Sequence, residues 1–159
     1  MVLTPRGLRF RGAIFPCSIG RGGILRDKRE GDGGTPRGIH RIIGVLYRPD
    51  RMSAPSAWAV PILPGDLWSD DPKASDYNHL VRAPYGFSHE VLRRADPLYD
   101  VVILTDWNWP DAIPGLGSAI FLHRWRRPGY PTEGCIAMRA EHIKRVAAWV
   151  KPQTRLVIR

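Results

Sequence analysis

Two residues near the C-terminal end of the chain have side chains that can perform nucleophilic chemistry. His123 closes the apolar, strand-like segment 117–122, and Cys135 follows Gly134 in a short polar loop. A cysteine attacks a carbonyl as its thiolate, and a free thiol with a pKa of about 8.5 needs a neighbouring imidazole or positive charge to lower that value. An imidazole can also transfer protons as general acid and base. The pair predicts a Cys135 nucleophile that His123 activates.

Gly134 has a separate predicted role beside the cysteine. A residue without a Cβ allows the backbone to turn sharply and a substrate to come close. We expect the backbone amides around Gly134 and Cys135 to face the oxyanion of a tetrahedral intermediate. The spacing alone also fits a buried structural cysteine, which is the commoner state of a free cysteine, and on the residues alone this alternative stays open.

Two segments of the chain resemble the L,D-transpeptidase catalytic domain family, also called the YkuD domain. In that family a histidine at a strand end precedes a variable loop and then Ser or Thr, one residue, Gly, Cys and an apolar residue. Here His123 is followed by Thr-Glu-Gly-Cys-Ile at 132–136. Upstream, residues 28–38 are similar to the family's Lys-x-Gly-Asp-x-x-Thr-Pro-x-Gly loop. The resemblance covers nearly the whole chain, and segment 117–123 is similar to a short proteobacterial branch.

The resemblance implies a cysteine-dependent enzyme that cross-links peptidoglycan. It gives Cys135 the role of nucleophile, His123 that of proton carrier and Gly134 a place in the oxyanion site. Donor and acceptor stem peptides are the implied partners, and carbapenems are implied inhibitors. A 3-3 linkage between diaminopimelate residues and a 1-3 linkage from L-alanine both stay open. The resemblance further implies a periplasmic or cell-wall-facing location, and we expect a monomer.

The predicted substrate-binding residues are Asn108, Arg124, Tyr130 and Thr132. Two departures from the family pattern affect this prediction. Arg124 and Trp125 follow the histidine where many members have a Gly and a Ser or Thr, and Ala137 replaces an Arg that is expected near a substrate carboxylate. Either another cation binds that substrate carboxylate, or the protein binds a stem peptide with a different end. The candidate cations are Arg124, Arg126, Arg127 and Arg139.

Two alternatives from other functional classes remain. An L,D-carboxypeptidase or amidase would resolve the thioester with water, whereas a non-catalytic cell-wall-binding or nucleic-acid-binding module would keep Cys135 as a structural residue. A structural thiol would be alkylated slowly and without an inflection at low pH. The acidic stretch with Asp70, Asp71, Asp76 and His79 matches no known ligand spacing, so neither a metal nor another cofactor is expected.

Composition predicts a single domain over residues 1–159. A chain of this length can bury roughly two thirds of its unfolded surface, and it is too short for two full domains. The net charge of +9 favours anionic surroundings, but the arginines are scattered, which argues against nucleic-acid recognition. No apolar run is long enough to span a bilayer. The N-terminal apolar segment 12–17 is too short for a secretion signal, and Cys17 is expected to be a buried strand residue.

Alternating apolar residues and clusters of turn residues predict a mainly β fold, a β-sandwich or open barrel with one or two peripheral helices. The predicted strands are Gly12–Ser18, Ile39–Tyr47, Trp58–Leu63, Val101–Thr105, Ser118–His123 and Thr154–Ile158. Ser88 could cap a short helix over His89–Ala95, and a second helix is predicted over Glu141–Val150, where Pro152 ends it.

Overall fold

The structure is a computed structural model, and it describes residues 1–159. The elements in chain order are β1 Val2–Thr4, β2 Gly7–Phe10, β3 Ala13–Phe15, β4 Cys17–Ser18, β5 Ile24–Leu25, β6 Thr35–Pro36, β7 Gly38–Tyr47, β8 Val60–Pro61, β9 Asp66–Ser69, β10 Leu80–Arg82, β11 His89–Val91, β12 Val101–Thr105, β13 Phe121–Arg124, β14 Ile136–Met138, α1 Ala140–Trp149 and β15 Arg155–Ile158.

A large sheet with the strand order β3-β2-β1-β15-β7-β12-β13-β14-β4 forms the body of the molecule. Its two end strands, β3 and β4, are separated in the chain only by Pro16, so the sheet nearly closes on itself. A proline has no N–H to donate to a strand ladder, which explains why the strand predicted over Gly12–Ser18 is two short strands. The prediction of a mainly β fold with a peripheral helix is confirmed.

Two apolar clusters lie on opposite faces of this sheet. The larger cluster includes the apolar face of α1, with Ile143, Val146 and Ala147, packed against β12, β13 and β14. The smaller cluster lies between the sheet and a separate three-stranded sheet, β10-β9-β11, where Trp68 makes an edge-to-face contact with Phe121 at 5.0 Å. The candidate site lies at the edge of this smaller cluster, between the two sheets.

The predicted helix over His89–Ala95 is wrong. Residues His89–Val91 form strand β11, which pairs antiparallel with β9. Ser88 does not cap a helix, and its carbonyl accepts a hydrogen bond from the Asp70 N–H. A segment this short has too little local helical preference to resist pairing with a neighbouring strand. This correction matters for function, because β11 brings Glu90 to the candidate site.

The other predicted elements differ from the structure mainly in length. The helix predicted over Glu141–Val150 is present as α1, and it is the only helix; no helix is long and apolar enough to cross a bilayer. The strand predicted over Trp58–Leu63 is reduced to the two residues of β8, which pair with the edge of β7.

Candidate active site

The parallel pair of strands β13 and β14 positions His123 and Cys135. Leu122 is in register with Ile136, and His123 with Ala137. Because successive side chains of a strand point to opposite faces, Leu122 and Ile136 enter the larger apolar cluster. His123 and Cys135 therefore point to the other face, where both line one cavity of about 330 Å³.

The Cys135 thiol forms hydrogen bonds only with backbone groups. Its Sγ accepts a hydrogen bond from the Phe121 N–H at 3.4 Å and donates to the Ala119 carbonyl at 3.0 Å. The Cys135 N–H itself donates to no protein group. Cys135 thus lines the cavity with a thiol and with a backbone N–H that has no protein partner.

His123 is held in the orientation and tautomer that a general base requires. The Nδ1 atom lies 2.7 Å from the Arg124 carbonyl oxygen, and because a carbonyl only accepts, Nδ1 carries the proton. Nε2 is then the free acceptor. The side chain is only 8% exposed, and the Tyr99 ring packs edge-to-face against it at 5.2 Å. Fixing one ring nitrogen through the backbone leaves the other free to exchange a proton with a substrate.

The pKa values of the two side chains differ from the sequence-based expectation. Burial raises the pKa of Cys135 to about 12, opposed by the Phe121 N–H and reinforced by the charge of Glu90. Burial likewise lowers the pKa of His123 to about 4. The expected lowering of the thiol pKa by His123 is therefore absent from the resting site. Near neutral pH the structure holds a neutral thiol and a neutral imidazole with no hydrogen bond between them.

The two sequence segments that resemble the family meet directly beneath the cysteine. The Thr35 hydroxyl, from the upstream segment, accepts from the Gly20 N–H at 2.9 Å and donates to the Gly134 carbonyl at 2.8 Å. The side chain of Thr35 is fully buried. One hydroxyl therefore joins three segments that are far apart in sequence, and it fixes the loop that presents Cys135.

Thr132 and Gly134 set the geometry of the loop around the cysteine. The Thr132 hydroxyl accepts from the Gly134 N–H at 3.2 Å and donates to the Cys135 carbonyl at 2.6 Å. Gly134 has φ +141°, and a Cβ there would lie 2.8 Å from the Gly34 carbonyl oxygen. Only glycine fits this position. The Gly134 amide is engaged by Thr132, so the Cys135 amide is the free donor of the pair predicted to face an oxyanion.

The family model of the L,D-transpeptidase catalytic domain, YkuD, matches residues 6–158. The chain belongs to this family. The resemblance inferred from the two sequence segments is therefore confirmed, and peptidoglycan stem peptides are the class of substrate on which the family acts. No curated protein and no solved structure matches the chain.

In this L,D-transpeptidase-family site, a buried asparagine links the loops around the nucleophile. The Asn78 side chain accepts from the Trp68 indole at 2.9 Å and from the Ala119 N–H at 3.0 Å. Its amide nitrogen donates to the carbonyls of Trp107 and Asn108. Ala119 has φ +51°, unusual for a residue with a Cβ. Asn78 holds Ala119 in this conformation, which directs its carbonyl at the Cys135 thiol.

The predicted substrate-binding residues occupy three different places. Tyr130 and Thr132 line the cavity with Cys135. Arg124 lines a neighbouring cavity, between Asp96 and Trp125. The Asn108 side chain bonds the backbone of its own loop, at Ile113 and Gly117, and does not line the cavity.

Several residues that line the cavity could not be identified as site residues from the sequence. They are Glu30, Glu90, Arg94, Tyr99 and Ala119. The wrong helix prediction concealed the position of Glu90, whereas Arg126, one of the four candidate cations, does line the cavity. Asn78 lies within a stretch that resembles the family, but its buried network depends on contacts between loops distant in sequence. Both cysteines are free thiols.

Proposed function

We propose that residues 1–159 form a single catalytic domain, a peptidoglycan L,D-transpeptidase that cross-links stem peptides through a Cys135 thioacyl-enzyme. The observation that carries this proposal is the arrangement of three groups around one cavity. These are the Cys135 thiol, its free amide N–H and the unpartnered Nε2 of His123. They match the nucleophile, the oxyanion donor and the base that acyl transfer requires.

Acylation begins from the neutral pair. As the carbonyl of an L-centre in the donor stem approaches Cys135, His123 Nε2 takes the thiol proton and Sγ forms a bond to the carbonyl carbon. The Cys135 N–H is placed to donate to the oxyanion that develops. His123 then gives the proton to the departing amine, the C–N bond breaks, and a thioester on Cys135 remains.

Deacylation repeats these roles with an amine as the nucleophile. The side-chain amine of an acceptor stem attacks the thioester carbon, and His123 Nε2 accepts a proton from that nitrogen. Collapse of the second tetrahedral intermediate breaks the C–S bond and returns the proton to Sγ. The product is an amide between two stems, with either a 3-3 or a 1-3 linkage, depending on which donor carbonyl reached Cys135.

Arg126 is the best-placed of the candidate cations to bind a substrate carboxylate in place of the Arg absent at Ala137. Arg126 lines the cavity, forms no ion pair and lies over the Tyr130 ring at 5.9 Å. Arg124 lines the neighbouring cavity. Arg139 lies 4.0 Å from Glu141 and outside the cavity. Arg126 and Tyr130 together fit a peptide carboxylate at the mouth of the site.

The main alternative is hydrolysis of the same thioester, which would make the protein an L,D-carboxypeptidase or amidase. The acylation chemistry is identical, and only the second nucleophile differs. A non-catalytic wall-binding module would not require an unpartnered His123 Nε2 beside a thiol. In keeping with its family, we place the enzyme outside the cytoplasmic membrane, facing the cell wall, as a monomer whose thiolate carbapenems acylate.

Mass analysis of muropeptides after incubation with the purified protein tests the proposal. Unlabelled donor stems and isotopically labelled acceptor stems should give a dimer that carries one label, together with the released terminal residue of the donor. Shortened donor stems without labelled dimers would instead assign hydrolysis. An unchanged mixture, together with no acyl adduct on Cys135, would reject both enzymatic functions.

A further inference from the structure

The cavity beside Cys135 contains carboxylates that no ion pair neutralises. Glu30, Asp70 and Glu90 line it, and none belongs to an ion pair, whereas Glu133 in the same lining pairs with Arg21. The chain as a whole carries a net charge of +9. Three carboxylates without an ion-pair partner in a single cavity of a basic chain therefore require an explanation.

The three-stranded sheet places two of these carboxylates on one face. Glu90 of β11 is in register with Trp68 of β9, and Asp70 follows two residues after Trp68, so all three side chains share a face. Trp68 packs on Phe121, which fixes that face against the strand that carries His123. The Asp70 and Glu90 carboxylates consequently face the catalytic strands.

Neither carboxylate is fully satisfied by the protein. Asp70 Oδ1 is buried and has no hydrogen-bond partner. Glu90 accepts only a long hydrogen bond from the Tyr99 hydroxyl, at 3.3 Å. Arg94 also lines the cavity, but its Nε and Nη2 donate to Asp96. A buried acceptor without a donor is costly, and a cationic ligand in the cavity would lower the electrostatic part of that cost.

A second observation in the same cavity also indicates a ligand that can donate hydrogen bonds. His123 lines the cavity and is only 8% exposed, yet its Nε2 has no protein partner. The carboxylates also oppose the nucleophile, since the charge of Glu90 raises the pKa of Cys135. A bound ammonium would offset this opposition.

We propose that Asp70 and Glu90 form an ammonium subsite, which binds the side-chain amino group of the diamino acid in a stem peptide. This inference rests on the proposed function, because it names the substrate group that the same cavity selects. The ammonium belongs either to the donor stem, whose diamino acid lies next to the scissile bond, or to the acceptor stem, whose amine is the nucleophile. Both sources present the same charged group to the same carboxylates.

A binding experiment tests the subsite without requiring turnover. In a Cys135→Ala background, a stem tripeptide with a free side-chain amine and its N-acetylated form are compared by calorimetry. We expect acetylation to weaken binding about tenfold, the effect of losing one charge-assisted hydrogen bond. Adding Glu90→Gln and Asp70→Asn should reduce this discrimination to about twofold or less. The control is Glu133→Gln, whose carboxylate lines the same cavity but pairs with Arg21, and it should keep the full discrimination.

Two kinetic measurements on proteins that retain Cys135 separate the sources of the ammonium. If the donor supplies it, Glu90→Gln should raise the donor concentration required for half-maximal acylation, measured by intact mass. If the acceptor supplies it, the donor concentration required for half-maximal acylation should be unchanged, and the acceptor concentration required for half-maximal release of the thioester should rise. Either result supports the subsite and assigns its source.

The outcomes separate this inference from the proposed function. Equal sensitivity to acetylation in the Glu90→Gln/Asp70→Asn variant and its parent, with melting temperatures unchanged, would overturn the subsite. That result would leave the proposed function standing if Cys135 is still acylated by stems. Discrimination that depends on both carboxylates, in a protein that no stem acylates, would support the subsite and reject the proposed enzyme. Should the double variant fail to fold, Glu90→Gln alone is compared in the same way, because its amide oxygen can still accept from Tyr99.

Discussion

Cys17 and Cys135 lie close together in the fold, yet their surroundings differ in kind. Cys17 of β4 pairs with Met138 of β14, and Cys135 lies immediately before that strand. Burial raises the pKa of both thiols, to about 11 for Cys17 and about 12 for Cys135. Cys17 packs against the larger apolar cluster, whereas Cys135 faces a polar cavity with His123. The pKa of the resting thiol therefore does not identify the nucleophile, and the neighbouring groups do.

The largest expected difference between the two cysteines is in turnover. Cys135→Ala should abolish cross-linking, because no other thiol lines the cavity. Cys17→Ala should retain cross-linking and cost at most about 1–2 kcal/mol of stability, as a small core truncation does. Muropeptide mass analysis and thermal melts measure both effects. Cross-linking by a folded Cys135→Ala protein would end the proposal, and an inactive, stable Cys17→Ala protein would show that the other thiol is the nucleophile.

Carbapenems give a second all-or-none comparison. The strained amide of the drug reports whether a thiol lies beside a base and an oxyanion donor. Intact-mass spectrometry and peptide mapping should find one adduct, on Cys135, in the wild type and in Cys17→Ala, and no adduct in Cys135→Ala. An adduct on Cys17 would count directly against the assigned site. If no adduct forms at all, the prediction of carbapenem sensitivity is wrong. The thioester mechanism would then be tested by the stem-peptide assay alone.

The part of the site that sequence could predict is the part with strong local constraints. Gly134 must be glycine, and His123 and Cys135 lie at the ends of segments whose strand character is evident from their apolar residues. The contribution of Glu90 could not be predicted, because β11 is a three-residue strand that only its pairing with β9 creates. Local preference alone favoured a helix there.

The ionisation state of the Cys135 thiol also could not be predicted from the sequence. The expectation that an imidazole near a thiol lowers its pKa ignores the burial of both groups, which is the largest cause of the pKa shift of each. The role of Asn78 depends likewise on the meeting of loops distant in sequence. Strand segments and the motif glycine follow from local chemistry, whereas the electrostatics of the cavity follow from tertiary packing.

Replacing His123 should produce the next largest effect. His123→Gln retains hydrogen-bonding capacity but cannot transfer a proton, so acylation should slow by at least about a hundredfold. Because burial lowers the pKa of His123 to about 4, the base form persists above that value and is lost only as the pH falls through it. Wild-type acylation should thus stay nearly constant from pH 7 to pH 5 and decline near pH 4.

The measurement is the rate of thioester formation by intact mass across this pH range. His123→Gln should be slow throughout and should lack the decline near pH 4. His142→Gln is the matched control, because His142 packs against Phe15 away from the cavity. An unaltered rate and pH profile in His123→Gln would assign the base to another residue.

Thr132 permits a smaller test of how the loop holds the nucleophile. Thr132→Val removes the hydroxyl that bonds the Gly134 N–H and the Cys135 carbonyl, while keeping a similar shape. We expect about a tenfold loss in acylation rate, because small displacements of a nucleophile weaken alignment with the carbonyl. Thr132→Ser retains the hydroxyl and should lose less than about threefold. Equal losses in the two variants would show that the methyl group, and not the hydrogen bonds, matters.

The smallest expected difference is in the reactivity of the two resting thiols. Because the pKa of each is raised, both should be alkylated slowly by iodoacetamide near neutral pH, and their rates should rise with pH without an inflection below about pH 10. Cys17→Ala leaves Cys135 as the single thiol, and Cys135→Ala leaves Cys17, so each profile is measured alone. Slow alkylation of Cys135 is compatible with the proposed acylation, which starts from a neutral thiol hydrogen-bonded to the Ala119 carbonyl. An inflection near pH 6–7 for Cys135 would instead demonstrate a preformed thiolate and imidazolium pair, and it would overturn the neutral resting state from which we derive acylation.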